Sequence, residues 1–303
     1  MQQQILSFWG PWQYAGIMNT LQALRAFTDT LPRQGVKMPV LFTSHGNPMD
    51  IPLDRTERPF WNTLFELGKD LQAKNDVKAA VVISAHWCTE GTWVNVSPQP
   101  EQIYDYYGFP DEYYSVKYSA LGAPEIAREV AQLVPSIHET TEWGLDHGAW
   151  PMLMHLFPEG NVPVFQLSLS YHASPKYHWD LGRQLAPLRD KGVLIIGSGS
   201  LIHNLGLAGR KMRLGDMTPY GWEAEYDEWI KTKIAHRDFD AVVNYWDSHP
   251  LGKLAAPTPD HYVPVLYSLA LAETRDEIIP FYEAPPTLPA FSERSFVIGG
   301  AGR

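Results

Sequence analysis

The chain has a single cysteine among 303 residues, Cys88. One thiol excludes an intrachain disulfide and any zinc framework built on cysteine; Cys88 is expected to act as a small buried hydrophobe. Positive charge is also scarce, with 24 Lys and Arg against 34 Asp and Glu and a formal net charge of −10. No basic run occurs, and binding a phosphate backbone needs clustered cations, so nucleic acid is not an expected partner. No stretch approaches the roughly twenty apolar residues of a membrane span. The N-terminal segment lacks the basic and apolar regions of a secretory signal. A cytoplasmic location is expected, as a monomer or a homodimer.

Several catalytic signatures are missing too. There is no HExxH, which excludes a helix-borne zinc protease site, and no GxSxG nucleophile elbow. The loop Gly197-Ser198-Gly199-Ser200 lacks both the GxGxxG and the GxxxxGK[ST] spacing of nucleotide cradles.

What remains is a globular composition, 45% hydrophobic and 19% charged. Four short apolar runs carry a strand signal: Met38–Thr43, Val77–Ser84, Val162–Leu169 and Val193–Gly197. Their hydrophobicity is continuous rather than alternating, as in parallel strands covered on both faces. Thr92–Val96 and Ser295–Ile298 are further strand candidates. Helix-like segments lie between the runs at Arg58–Ala73, Ala123–Leu133, Trp150–Leu156 and Tyr177–Arg189. This alternation predicts an α/β fold: a single domain over 38–303 with a central, mostly parallel sheet flanked by helices. Residues 1–37 read as an N-terminal extension, helical over Asn19–Leu31.

Five histidines stand out by context. His45 and His86 follow apolar strand-like runs directly, and His203 lies a Gly/Ser loop beyond a third. That places them outside the carboxyl ends of the strands, where open α/β sheets build ligand sites. His147 (Asp146-His147-Gly148) and His261 (Pro259-Asp260-His261-Tyr262) are weaker candidates taken alone. Neutral imidazole is the commonest metal ligand and titrates nearest neutral pH, so the group predicts a metal centre with acid–base chemistry. Asn204 is a candidate supporting group. The loop 103–114 holds five tyrosines and a phenylalanine; it either walls a pocket for a flat ligand or packs on the core. The other histidines are assigned to surface or core, although His249 could line the same crevice.

Taken in order, the segments Met38–Met49, Val81–Trp87, Gly144–Trp150, Gly197–Leu205 and Pro257–Pro264 resemble the class III extradiol ring-cleavage dioxygenases of the LigB superfamily, in their 4,5-DOPA dioxygenase-like branch. The resemblance covers about Met38 to the C-terminus. It implies that His45, His86 and His261 hold one divalent metal ion and that His147 is the acid–base residue. His203 is left between two roles, a substrate-side base or the fourth ligand of a four-histidine site. The wider superfamily uses a glutamate as its third ligand, the 2-His-1-carboxylate arrangement of Fe(II) oxygenases. Here that place falls to His261, and an all-imidazole set also suits Zn(II). The implied reaction cleaves a DOPA-like catechol with O2 to a semialdehyde acid, with Trp87 and the loop tyrosines as candidates to contact the ring. Two rival readings share the scaffold: a zinc hydrolase using activated water, and a non-catalytic metal-binding protein.

Overall fold

In the computed structural model, residues 37–300 are described, apart from 285 and 287. The expected N-terminal extension and its helix lie outside the described residues. Eight strands form one sheet: β1 (Val40–Thr43), β2 (Ala79–Thr89), β3 (Thr92–Asn95), β4 (Ile137–Thr140), β5 (Val164–Ser170), β6 (Val193–Ser198), β7 (Glu277–Tyr282) and β8 (Ser295–Gly299). Their order is β4-β3-β5-β2-β6-β1-β8-β7. The centre, β5-β2-β6-β1, is parallel throughout. β3 pairs antiparallel with β5, and β8 antiparallel with β1 and β7. The expected α/β architecture is therefore present, with antiparallel joins flanking its parallel centre.

The continuous apolar runs have a direct physical explanation. Val81, Ile83, Val193 and Ile195 belong to one buried cluster, while Ala80, Val82, Leu194 and Ile196 belong to another. Successive side chains point to opposite faces of a strand, so both faces are cores and every position must be apolar. Helices α1 (Pro59–Lys74) and α3 (Trp150–Leu156) cover the second face. The first is covered by α2 (Pro124–Leu133), α4 (Pro175–Gln184) and α7 (Val263–Ala270). Helices α5 (Leu205–Met212) and α6 (Trp222–Ala235) follow β6. Among the described residues, no helix is long and apolar enough to cross a membrane.

Three details depart from expectation. The second strand does not end at Ser84: it continues to Thr89, with a register irregularity against β5 between Ile83 and Cys88. Such bulges re-aim side chains next to functional sites, and this one carries His86. The helix expected over Tyr177–Arg189 stops at Gln184, and a separate turn covers Pro187–Asp190. Cys88 is exposed rather than buried; by that point β2 no longer pairs with β6 and is joined to β5 alone.

Candidate metal centre

The central strands deliver the histidines at their carboxyl ends. His45 lies two residues past β1, His86 sits in the irregular end of β2, and His203 lies five residues past β6. The His45 turn is fixed locally. Gly46 adopts φ +71°, the left-handed region that glycine enters without strain. Asn47 then caps the turn Pro48–Asp50, accepting from the Met49 N–H while Asp50 accepts from the Asn47 N–H. Buried Arg58 pairs with both Asp50, at 2.9 Å, and Glu293. Removing one partner of a buried pair typically costs about 3–5 kcal/mol, so this network ties the His45 turn firmly to the segment entering β8. The Gly/Ser loop after β6 is tied to the His261 segment by Ser200 N–H, which donates to the His261 carbonyl at 2.8 Å.

All five histidines named by the sequence meet. Ring centroids of His45 lie 4.9 Å from His86, 5.8 Å from His147 and 5.4 Å from His261. His86 is 3.8 Å from His147 and 4.8 Å from His261, and His203 stacks on His261 at 3.4 Å. Ligand atoms of His45, His86 and His147 lie within 4.8 Å of one another, and so do those of His203, Asp260 and His261. Distance alone thus associates His147 with the first pair as closely as His261 is associated with His203.

Hydrogen bonding orients the rings. Ser198 donates its hydroxyl to the Gly148 carbonyl, so its oxygen is left to accept from His45 Nδ1, 3.0 Å away. His261 Nδ1 is held by the Asp260 carboxylate. His86 Nδ1 lies 3.3 Å from Asp105 Oδ2. Each contact favours a proton on Nδ1 and leaves Nε2 as a free donor of electrons, the arrangement by which outer partners set metal-binding imidazoles. The Nε2 atoms of His45 and His86 are 3.2 Å apart. Two nitrogens bound to one divalent ion at about 2.0–2.1 Å stand about 3.0–3.4 Å from each other, so the residues present fit such an ion.

Electrostatics agree. Burial, then repulsion from neighbouring imidazoles, holds His45 and His86 well below the usual histidine range. His203 is lowered by burial and by His261, against the pull of Asp260. Buried imidazoles this close resist carrying protons, and neutral imidazole is the form that binds metal. Burial opposes the charge of Asp260, yet its bond to His261 keeps the carboxyl below its ordinary range.

Other candidates take different places. Asp146 does not face His147; it accepts from Ser84 Oγ (2.6 Å), Gln166 Nε2 (2.8 Å), Gly148 N (3.0 Å) and Trp143 Nε1 (3.1 Å). It fastens the Asp-His-Gly turn onto β2 and β5. Asn204 caps α5, accepting from Leu207 N–H at 3.0 Å, and is not directed at the histidines. Trp87 is buried against Trp143, with planes 5° from parallel. The tyrosines of loop 103–114 are largely occupied internally: Tyr104 and Tyr106 donate to the Val116 and Tyr113 carbonyls. Tyr106 still places its ring 5.4 Å from His147. His249 packs on Trp229 and Tyr226 instead of joining the cluster. His178 is a satisfied core histidine, bonded to Tyr267 and Ser170. Asp105 and Ser198 were missed as site residues. Asp105 lies between Tyr104 and Tyr106 in the aromatic loop, with no histidine or glycine beside it to mark it.

Comparison with known proteins shows the family. The family described as "Catalytic LigB subunit of aromatic ring-opening dioxygenase" matches residues 39–290. The chain belongs to this family. It is 36% identical over 249 residues to a 4,5-DOPA dioxygenase extradiol of Escherichia coli (strain K12), covering 80% of this chain and 88% of that one. It is 39% identical over 236 residues to a 4,5-DOPA dioxygenase extradiol of Beta vulgaris, covering 76% and 85%. The crystal structure of an uncharacterized protein from Escherichia coli K12 superposes with a TM-score of 0.71 at 32% identity, covering 87% of this chain and all of that one.

Proposed function

We propose that this LigB-family protein is a metal-dependent extradiol dioxygenase that opens the ring of a DOPA-like catechol with O2, giving a semialdehyde acid. The observation that carries the reading is the convergence of His45, His86 and His261, each with its Nδ1 beside an oxygen partner and its Nε2 left for a metal. Relatives named as 4,5-DOPA dioxygenases support the substrate class. When bound, a redox-active divalent ion such as Fe(II) would bring diol and O2 together and let electron density pass between them; Zn(II) would fill the same imidazole set without redox chemistry.

The remaining residues supply proton transfer and enclosure. His147 is the acid–base group: its buried Nδ1 lies beside the Asp105 carboxylate, 2.9 Å away, which leaves Nε2 for proton transfer. His203 is the base that takes a catechol proton. Counting it as a fourth ligand would occupy a position that the diol or O2 needs. Burial of His45, His147, His203 and His261, each 9% exposed or less, keeps water from competing for these protons. Tyr106, edge-on to His147, closes the side formed by loop 103–114.

The test is anaerobic reconstitution with Fe(II), followed by DOPA and air in an oxygen electrode. One O2 consumed per DOPA, with a yellow ring-opened product, is the expected result. Turnover that appears only with Zn(II) and consumes no O2 would establish the hydrolase instead.

A further inference from the structure

Asp105 is joined to two histidines at once. Its Oδ2 lies 3.3 Å from His86 Nδ1 and its Oδ1 lies 2.9 Å from His147 Nδ1. The same Oδ1 accepts the backbone N–H of His147 at 2.8 Å. The carboxylate is itself mostly buried, its side chain 17% exposed. Its position is imposed by the chain on either side. Leu145 N–H donates to the Glu101 carbonyl at 2.7 Å, and Ile103 N–H donates to the Leu145 carbonyl at 2.8 Å. Trp150 Nε1 donates to the Ile103 carbonyl at 3.1 Å. The start of the aromatic loop is thereby sewn alongside the Asp-His-Gly turn.

We propose that Asp105 is a positioning residue that fixes His86 and His147 together, holding the proton of each ring on Nδ1 so that both present Nε2 to the centre. The ring contacts are close but not aligned hydrogen bonds, and their effect is nonetheless directional. An unprotonated Nδ1 would hold its lone pair about 3 Å from an anionic oxygen, which is repulsive, whereas an N–H there is attractive. One carboxylate shared between a ligand and the acid–base histidine makes their orientations interdependent. It also makes loop 103–114 part of the site's framework. This inference rests on the metal-centre reading given above, and its test separates the two.

The first measurement uses the full-length metal-free protein, with histidine tautomers read from long-range 1H–15N spectra. His86 and His147 are expected as Nδ1–H tautomers; an Nε2–H tautomer at His86 overturns the proposal. It requires no variant and no metal. The second compares Zn(II) affinity of the wild type, Asp105→Asn and Tyr107→Phe by chelator competition. An asparagine offers one oxygen and one N–H donor, so it cannot accept from both rings. Loss of outer partners typically weakens metal binding about 10–100-fold, and Asp105→Asn is expected in that range with the His45 tautomer unchanged. Tyr107, 86% exposed, is the control and should bind as the wild type does. Asp105→Asn with wild-type affinity overturns the positioning role. A wild-type protein that binds neither Zn(II) nor Fe(II) overturns the metal centre, while the tautomer spectra still decide the role of Asp105.

Discussion

His45 and His86 face each other through Nε2 atoms 3.2 Å apart, although they lie 41 residues apart in the chain. The relationship exists because β1 and β2 flank β6 in one parallel sheet, so both histidines emerge at the same end. It separates ligands from proton carriers by experiment. His86→Ala should lose bound metal, because the site then lacks half of its facing pair. His147→Ala and His203→Ala should retain metal at wild-type stoichiometry while turnover falls about 10²–10⁴-fold, the usual contribution of a general acid or base. Metal analysis beside steady-state rates checks this. Equal metal loss in His86→Ala and His147→Ala would reverse the assigned roles.

The parallel centre and His45, His86 and His203 were legible because they rest on local signals, whereas His147 and His261 stood out only through the ordered family resemblance. A doubly covered strand must be apolar at every position, and a histidine just beyond such a strand has one crevice to enter. Two edge strands left no such signal. Ile137–Thr140 is half exposed and carries His138 and Glu139, while Glu277–Tyr282 contains Pro280, a residue tolerated only at edges. Helix α6 hid for another reason: its buried Tyr226, Ile230 and Ile234 recur at four-residue spacing amid charged neighbours and buried Glu223 and Asp227. The outer partners were the least visible. Ser198 and Asp105 acquire their roles only through contacts across 153 and at least 19 residues of chain, which no spacing rule reaches.

Gly148 is the place where packing and function meet most tightly. A Cβ there would lie 2.4 Å from Ser84 Oγ and 2.8 Å from His86 Cδ2. Gly148→Ala must therefore displace either the Ser84–Asp146 bond or the His86 ring. Overpacking of this kind costs about 1–3 kcal/mol. The variant should unfold at lower urea than the wild type and bind Zn(II) more weakly than its stability loss alone explains. Wild-type metal affinity in Gly148→Ala would show that His86 is not held against this turn.

Acid should destabilise the metal-free protein before most carboxylates titrate. His155 and His178 are both pushed from the ordinary 6.5 to about 4. For His155 the cause is burial, then nearby Arg55, partly offset by Asp54. For His178 it is burial, partly offset by the Ser170 carbonyl. A lowered folded-state value means the unfolded chain takes up protons first as pH falls. Stability is therefore intact above about pH 6.5 and is lost progressively down to about pH 4. Each group accounts for roughly 3 kcal/mol at most over that window. His155 stacks on Trp61 at 4.5 Å and its buried Nε2 has no partner, so His155→Phe keeps the stack and removes one titration. Urea unfolding of the metal-free wild type and variant at pH 7.5, 5.5 and 4.5 should show a shallower decline in the variant. Parallel declines would mean that His155 is protonated as readily in the folded protein as in the unfolded chain.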